Sequence, residues 1–132
     1  MEPRAMPSVD LPSSHKVLVV EDDADTTTLF SIALVREGHE TRAVNCARDA
    51  LTVAPIFRPD VILIDIGLPD MDGYRLARLL RATPELADAR FIAVTGNAGQ
   101  SRVARSIAAG FQAHLTKPVS AERLVAAVSS VA

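Results

Sequence analysis

The stretch Val61-Ile62-Leu63-Ile64-Asp65-Ile66-Gly67-Leu68-Pro69-Asp70-Met71-Asp72-Gly73-Tyr74 opens on four consecutive aliphatic residues and turns polar at Asp65. An unbroken aliphatic run without polar alternation suits a strand covered on both faces, and such strands lie in the middle of parallel sheets. Two other runs share this character, Val17-Leu18-Val19-Val20 upstream and Phe91-Ile92-Ala93-Val94 downstream. Two mixed segments, His39-Glu40-Thr41-Arg42-Ala43-Val44 and Phe111-Gln112-Ala113-His114-Leu115, alternate polar and apolar residues as edge strands do.

Helical spacing fills the gaps. Leu29, Ile32 and Ala33 mark a first helix, and Ala47, Ala50, Leu51 and Ala54 a second. Leu76, Leu79 and Leu80 mark a third, Val103 and Ile107 a fourth, and Ala121, Leu124, Val125 and Val128 a fifth. Gly38 and Gly110 fall where helix C-caps are expected. The chain therefore reads as five β-α units. Right-handed crossovers must place helices on both faces of the sheet. With strands one, three and four central, this predicts a single α/β domain: a doubly wound (βα)5 flavodoxin-like parallel sheet of order 2-1-3-4-5. Its ligand crevice is expected at the carboxyl ends of the strands, near the switch between strands one and three.

Composition narrows the function. A chain of 132 residues suits one domain, and 48% apolar with 23% charged residues supports a packed core. With no Trp and one Tyr, that core must be mainly aliphatic. A formal charge of −2 argues against a nucleic-acid partner. Cys46 is the single cysteine, which excludes an internal disulfide and suggests a reducing, cytoplasmic setting. No apolar run approaches the roughly 18 residues of a membrane span, so no membrane partner is expected. Residues 1–15, MEPRAMPSVDLPSSH, hold three prolines and lack the apolar centre of a secretory signal. They read as a flexible leader or linker, leaving 16–132 as the domain.

The polar residues collect at one rim of this fold. Glu21, Asp22 and Asp23 follow strand one, Asp65 ends strand three, Thr95 ends strand four and Lys117 ends strand five. Singly, each has an ordinary explanation. Asp22, Asp23 or Asp25 can cap the first helix, Thr95 is a β-branched strand residue, and Lys117 can be a solvated lysine before a turn. Jointly, four separate strand ends supply the residue types that phosphoryl chemistry uses. Clustered carboxylates repel by about 4 kcal/mol per pair at 4 Å and an effective dielectric near 20. A hard divalent cation with oxygen ligands, Mg²⁺, is the expected compensation. Asp65 is then the candidate nucleophile, with Lys117 and Thr95 stabilising charge on the transferred group.

Four segments, VLVVEDD (17–23), LIDIGLPDMDGY (63–74), VTG (94–96) and LTKP (115–118), closely resemble the marker segments of bacterial response-regulator receiver domains. The resemblance runs from about Lys16 to the C-terminus. It implies a phosphorelay signalling domain rather than an enzyme, taking a phosphoryl group from a histidine kinase or histidine phosphotransfer protein onto Asp65. It further implies that Glu21 and Asp22 hold Mg²⁺ with Asp65 and the Gly67 carbonyl, and that Lys117 contacts the phosphoryl group. Thr95 becomes the switch hydroxyl, reshaping a surface of helix four, strand five and helix five for a protein partner. The same resemblance implies a cis bond at Lys117-Pro118 and places donor docking around Thr26 to Phe30. The chain departs from the family at four positions. Glu21 replaces a commoner Asp, Gly67 and Asn97 stand where acyl phosphate hydrolysis is tuned, and His114 stands where a Tyr or Phe often turns inward.

Rival functions are weaker. Phosphohydrolases of the haloacid-dehalogenase kind carry a second Asp two residues after the nucleophile, where this chain has Gly67. No phosphate-binding glycine motif follows any strand, and a degenerate receiver is expected to lose Asp65, Asp22 or Lys117. The chain stops one helix after Lys117, so the expected context is a stand-alone receiver or one cut from a larger sensor kinase. The leader and the DIGLPDMDGY wording resemble receivers of hybrid histidine kinases.

Overall fold

The structure is a computed structural model that describes residues 14–96 and 100–131. Most of the expected leader, Asn97 and the Val103 side chain lie outside the described residues. Five strands, β1 (Lys16–Val20), β2 (Glu40–Val44), β3 (Val61–Asp65), β4 (Arg90–Thr95) and β5 (Ala113–Thr116), form one parallel sheet in the order β2-β1-β3-β4-β5. The helices are α1 (Ala24–Arg36), α2 (Ala47–Phe57), α3 (Gly73–Arg81), α4 (Gln100–Ala108) and α5 (Ala121–Val131), with a short 3₁₀ turn at Pro84–Leu86 before β4.

Alternation along the strands divides the core into two layers. Leu18, Val20, Ile62, Ile64, Phe91 and Ala93 face α2 and α3, meeting Ala50, Ala54, Leu76 and Leu80. Val17, Val19, Val61, Leu63, Ile92 and Val94 face α1 and α5, meeting Phe30, Leu34, Leu124 and Val128. Burial on both sides explains why β1, β3 and β4 needed unbroken aliphatic runs. At the two chain reversals where they were expected, Gly38 and Gly110 adopt φ of +90° and +93°, a conformation costly for any side chain with a Cβ.

The markers of α1 need correction. Its buried face is Phe30, Ala33 and Leu34, whereas Leu29 and Ile32 are 45% and 52% exposed. The helix is apolar at Leu29, Phe30, Ile32, Ala33, Leu34 and Val35, so the spacing alone could not say which stripe faces the sheet. Leu79 and Ile107, taken as core markers for α3 and α4, are likewise exposed. Ser14 and His15, at the end of the presumed leader, are tied to the chain before β2. Ser14 Oγ donates to the Gly38 carbonyl at 3.0 Å, and the His15 N–H donates to His39 Nδ1 at 3.0 Å.

Candidate functional site

Parallel strands point their carboxyl ends the same way, and this delivers Glu21, Asp65, Thr95 and Lys117 to one rim. Asp65 pairs in register with Val94, so Thr95 lies one step beyond it on the adjacent strand. Lys117 follows β5 directly and donates its N–H to the Thr95 carbonyl at 2.8 Å. The Lys117-Pro118 bond is cis.

The first segment sorts its three acids by backbone geometry. Asp23 is the N-cap of α1, accepting the Thr26 N–H at 2.9 Å and the Thr26 hydroxyl at 2.6 Å. These bonds hold its carboxyl below the usual range. With the cap position taken by Asp23, Asp22 faces the rim beside Glu21. Carboxylate oxygens of Glu21, Asp22 and Asp65 all lie within 4.8 Å of one another. Glu21 is 2% exposed and Asp65 7% exposed, while Asp22 is open to solvent.

Lys117 is the cation among them. Its Nζ lies 3.1 Å from Glu21 Oε1, donates to Glu21 Oε2 at 3.2 Å, and stands 3.6 Å from Asp65 Oδ2. Burial alone would lower its pKa, but the hydrogen bond to Glu21 and the charge of Asp65 outweigh this and raise it. One ammonium does not balance three carboxylates. Burial pushes Glu21 up to about 7, the Asp23 N–H opposing and the Asp65 charge adding to the rise. Asp22 is raised too, by burial and by Asp65.

The donor set fits a hard cation. Glu21 Oε1 is a buried carboxylate oxygen that accepts no hydrogen bond of good geometry, despite its closeness to Lys117. Two further carboxylates lie beside it. Hard oxygen ligands with charge in excess suit Mg²⁺, which commonly takes one or two carboxylates and completes its shell with water.

The loop after Asp65 is built by close approach. Asp65 Oδ1 accepts the Gly67 N–H at 3.0 Å, and the Ile66 carbonyl accepts the Gly73 N–H at 3.0 Å. A Cβ on Gly73 would sit 2.6 Å from Ile66 Cα and 2.9 Å from the Asp65 carbonyl oxygen, so only glycine fits. Asp72 caps α3 through the Tyr74 N–H at 2.8 Å and pairs with Arg105 of α4 at 3.1 Å. The sequence reading missed this pair, although an Asp immediately before a helix is a legible cap signal. His114 lies on edge strand β5, half-buried, with Nε2 enclosed and unpartnered among the described residues. Burial holds its pKa below the ordinary 6.5.

A parallel sheet of this order with an acidic cluster and a lysine at the switch point defines a receiver-type α/β domain. Residues 17–129 match the response regulator receiver domain, and the chain belongs to that family. Among curated relatives, the polar-differentiation response regulator DivK of Brucella anthropi is 33% identical over 86% of this chain and 93% of its own length. Among solved structures, the chemotaxis response regulator CheY4 of Vibrio cholerae superposes with a TM-score of 0.86 at 26% identity, covering 91% of this chain and all of that one. The receiver domain of the sensor histidine kinase PA1611 of Pseudomonas aeruginosa, solved with a magnesium ion in its active-site cleft, gives 0.81 at 29% identity over 90% of this chain and 98% of that one. The chain is thus a receiver domain of two-component signalling, a class that takes phosphoryl groups from histidine kinases or phosphotransfer proteins.

Proposed function

We propose that Asp65 is the phospho-acceptor, and that Glu21, Asp22, Asp65 and the Gly67 carbonyl hold Mg²⁺. The observation that carries this reading is Lys117 Nζ lying between Glu21 and Asp65, 3.1 Å from one and 3.6 Å from the other. When bound, the ion supplies positive charge to the incoming phosphoryl oxygens. Asp65 supplies the nucleophile: a carboxylate oxygen forms the new O–P bond as the N–P bond of a phosphohistidine breaks, the electron pair leaving with the imidazole nitrogen. Lys117 turns its ammonium to the transferred group, and Thr95 offers its hydroxyl from the neighbouring strand. The Gly67 N–H on Asp65 Oδ1 holds that oxygen, directing Oδ2 to the phosphoryl group.

The donor in this proposal is a histidine kinase or histidine phosphotransfer protein docking over the start of α1. A groove of about 390 Å³ lined by Thr26, Leu29, Phe30, Gly96, Lys117 and Pro118 opens there, and Leu29, Ile32 and Val35 are exposed along the helix. Phosphorylation then biases the α4, β5 and α5 surface through Thr95 and His114 towards a protein target, in the cytoplasm. Among the described residues no helix is long and apolar enough to cross a membrane.

The test is incubation with Mg²⁺ and acetyl phosphate, read by intact mass. One phosphoryl group should add, chelation should suppress it, and Asp65→Asn should abolish it. Full labelling of Asp65→Asn would overturn the assignment.

A further inference from the structure

The N-terminus of α2 lacks a cap of its own. Cys46 occupies the N-cap position in extended conformation and makes no side-chain capping bond, and thiols are weak hydrogen-bonding groups. The cap comes instead from Asp70, more than twenty residues downstream in the loop between Asp65 and α3. Asp70 Oδ1 accepts the Ala47 N–H at 2.9 Å and Oδ2 accepts the Arg48 N–H at 2.9 Å. Both oxygens are thereby engaged by the first turn of α2, in the orientation that its helix dipole favours.

The bond joins two parts of the chain with different tasks. The base of the loop is closed by the Gly73 N–H on the Ile66 carbonyl. Its outer span, Gly67 to Asp70, is anchored by the Leu68 side chain in the core and by Asp70 on α2. Only Leu68 and Pro69 separate Gly67 from Asp70. Pro69 has a fixed φ, and a residue before proline is confined to extended conformations. A pull at Asp70 is therefore passed to Gly67 through two stiff residues.

We propose that Asp70 is a positioning residue of the acceptor site, tethering the Gly67 carbonyl to the N-terminus of α2 in the orientation that Mg²⁺ requires. This rests on the reading of Gly67 as a metal ligand given above. A residue acting on a ligand from outside the metal's own shell changes metal affinity by about 10–100-fold when removed.

The experiment separates tethering from capping. Asp70→Ala removes both functions. Cys46→Ser/Asp70→Ala gives α2 a local N-cap, since serine at that position accepts from the N2 or N3 amide, but leaves the loop untethered. Three quantities are measured: the urea midpoint, amide exchange at Gly67 in metal-free protein, and Mg²⁺ affinity by calorimetry. The double variant should regain most of the lost stability, yet keep fast exchange at Gly67 and bind Mg²⁺ about 10–100-fold more weakly than wild type. Recovery of Gly67 protection and Mg²⁺ affinity along with stability would reduce Asp70 to a helix cap and overturn the proposal. Weaker Mg²⁺ binding with unchanged Gly67 exchange would also overturn it, because a lost charge then suffices. The acceptor reading fails separately, if wild type takes up no phosphoryl group. The metal-free exchange at Gly67 still reports on the tether in that case.

Discussion

Glu21 should make the metal-free protein less stable as pH rises, and Glu21→Gln should remove that dependence. Burial, aided by the charge of Asp65, moves its carboxyl from an ordinary 4.5 to about 7. Between those values the folded protein holds a proton that the unfolded chain has released. The contribution of Glu21 is therefore highest below about 4.5, falls through the window, and levels off above about 7. The gap between the two values corresponds to about 3 kcal/mol at 1.36 kcal/mol per pH unit. Glu21 sits among interacting carboxylates, so about 3 kcal/mol is the scale of the effect rather than a share of one residue. Glutamine mimics the protonated acid, and its carbonyl can still accept the Asp23 N–H that Glu21 Oε2 now takes at 3.1 Å. With a chelator present, urea unfolding followed by circular dichroism should give similar stabilities near pH 5. At pH 8 the variant should be more stable by up to about 3 kcal/mol. Saturating Mg²⁺ should raise wild type at pH 8 and leave the variant nearly unmoved. Equal stabilities at pH 5 and pH 8 would refute the argument, and so would a wild-type slope that persisted in Glu21→Gln.

Three further outcomes are expected. Gly73→Ala forces a methyl to within 2.6 Å of Ile66 Cα. It should cost about 1–3 kcal/mol in urea and slow acetyl phosphate labelling; an unchanged midpoint would mean that the loop yields freely. Thr26→Ala and Leu29→Ser should impair transfer from a phosphorylated histidine donor while sparing acetyl phosphate labelling, and equal losses with both donors would deny α1 a docking role. His114 is kept neutral by burial to below its ordinary 6.5. At matched phosphorylation, the amide shifts of Ala104 to His114 should be larger at pH 8 than at pH 5, and His114→Tyr should remove the difference; identical shifts in wild type would make His114 a bystander.

The parts of the fold legible in the sequence are those with a one-dimensional signature. β1, β3 and β4 are covered on both faces, and no polar residue can interrupt them, so Val17–Val20, Val61–Ile64 and Phe91–Val94 declare themselves. The edges are less distinct: β5 begins at Ala113 rather than Phe111, because Phe111 turns into the α3 side of the core and stacks edge-on with Tyr74 and Phe91. The face of α1 was illegible for a different reason. A helix with a core stripe and a second apolar stripe open to solvent has too many apolar residues for spacing to separate the two. The exposed stripe at Leu29, Ile32 and Val35 is the one that the donor proposal uses.

The candidate site divides along the same line. Glu21, Asp65, Thr95 and Lys117 were readable because each ends or directly follows a strand, and a parallel sheet sends all such ends to one rim. Asp70 was not readable because its partner is an amide of another β-α unit, and a backbone N–H carries no sequence identity. The only trace of it lies elsewhere: Cys46 stands where α2 needs Ser, Thr, Asp or Asn, and an uncapped helix start near the core is a vacancy that some other chain segment must fill. Asp72 and Arg105 repeat the pattern between α3 and α4. The residues at the strand ends are announced by their strands, while contacts between units, Asp70 on α2 and Asp72 on Arg105, are specified by packing. Substitution of Asp70 should therefore alter the site while leaving Glu21, Asp22, Asp65, Thr95 and Lys117 themselves intact.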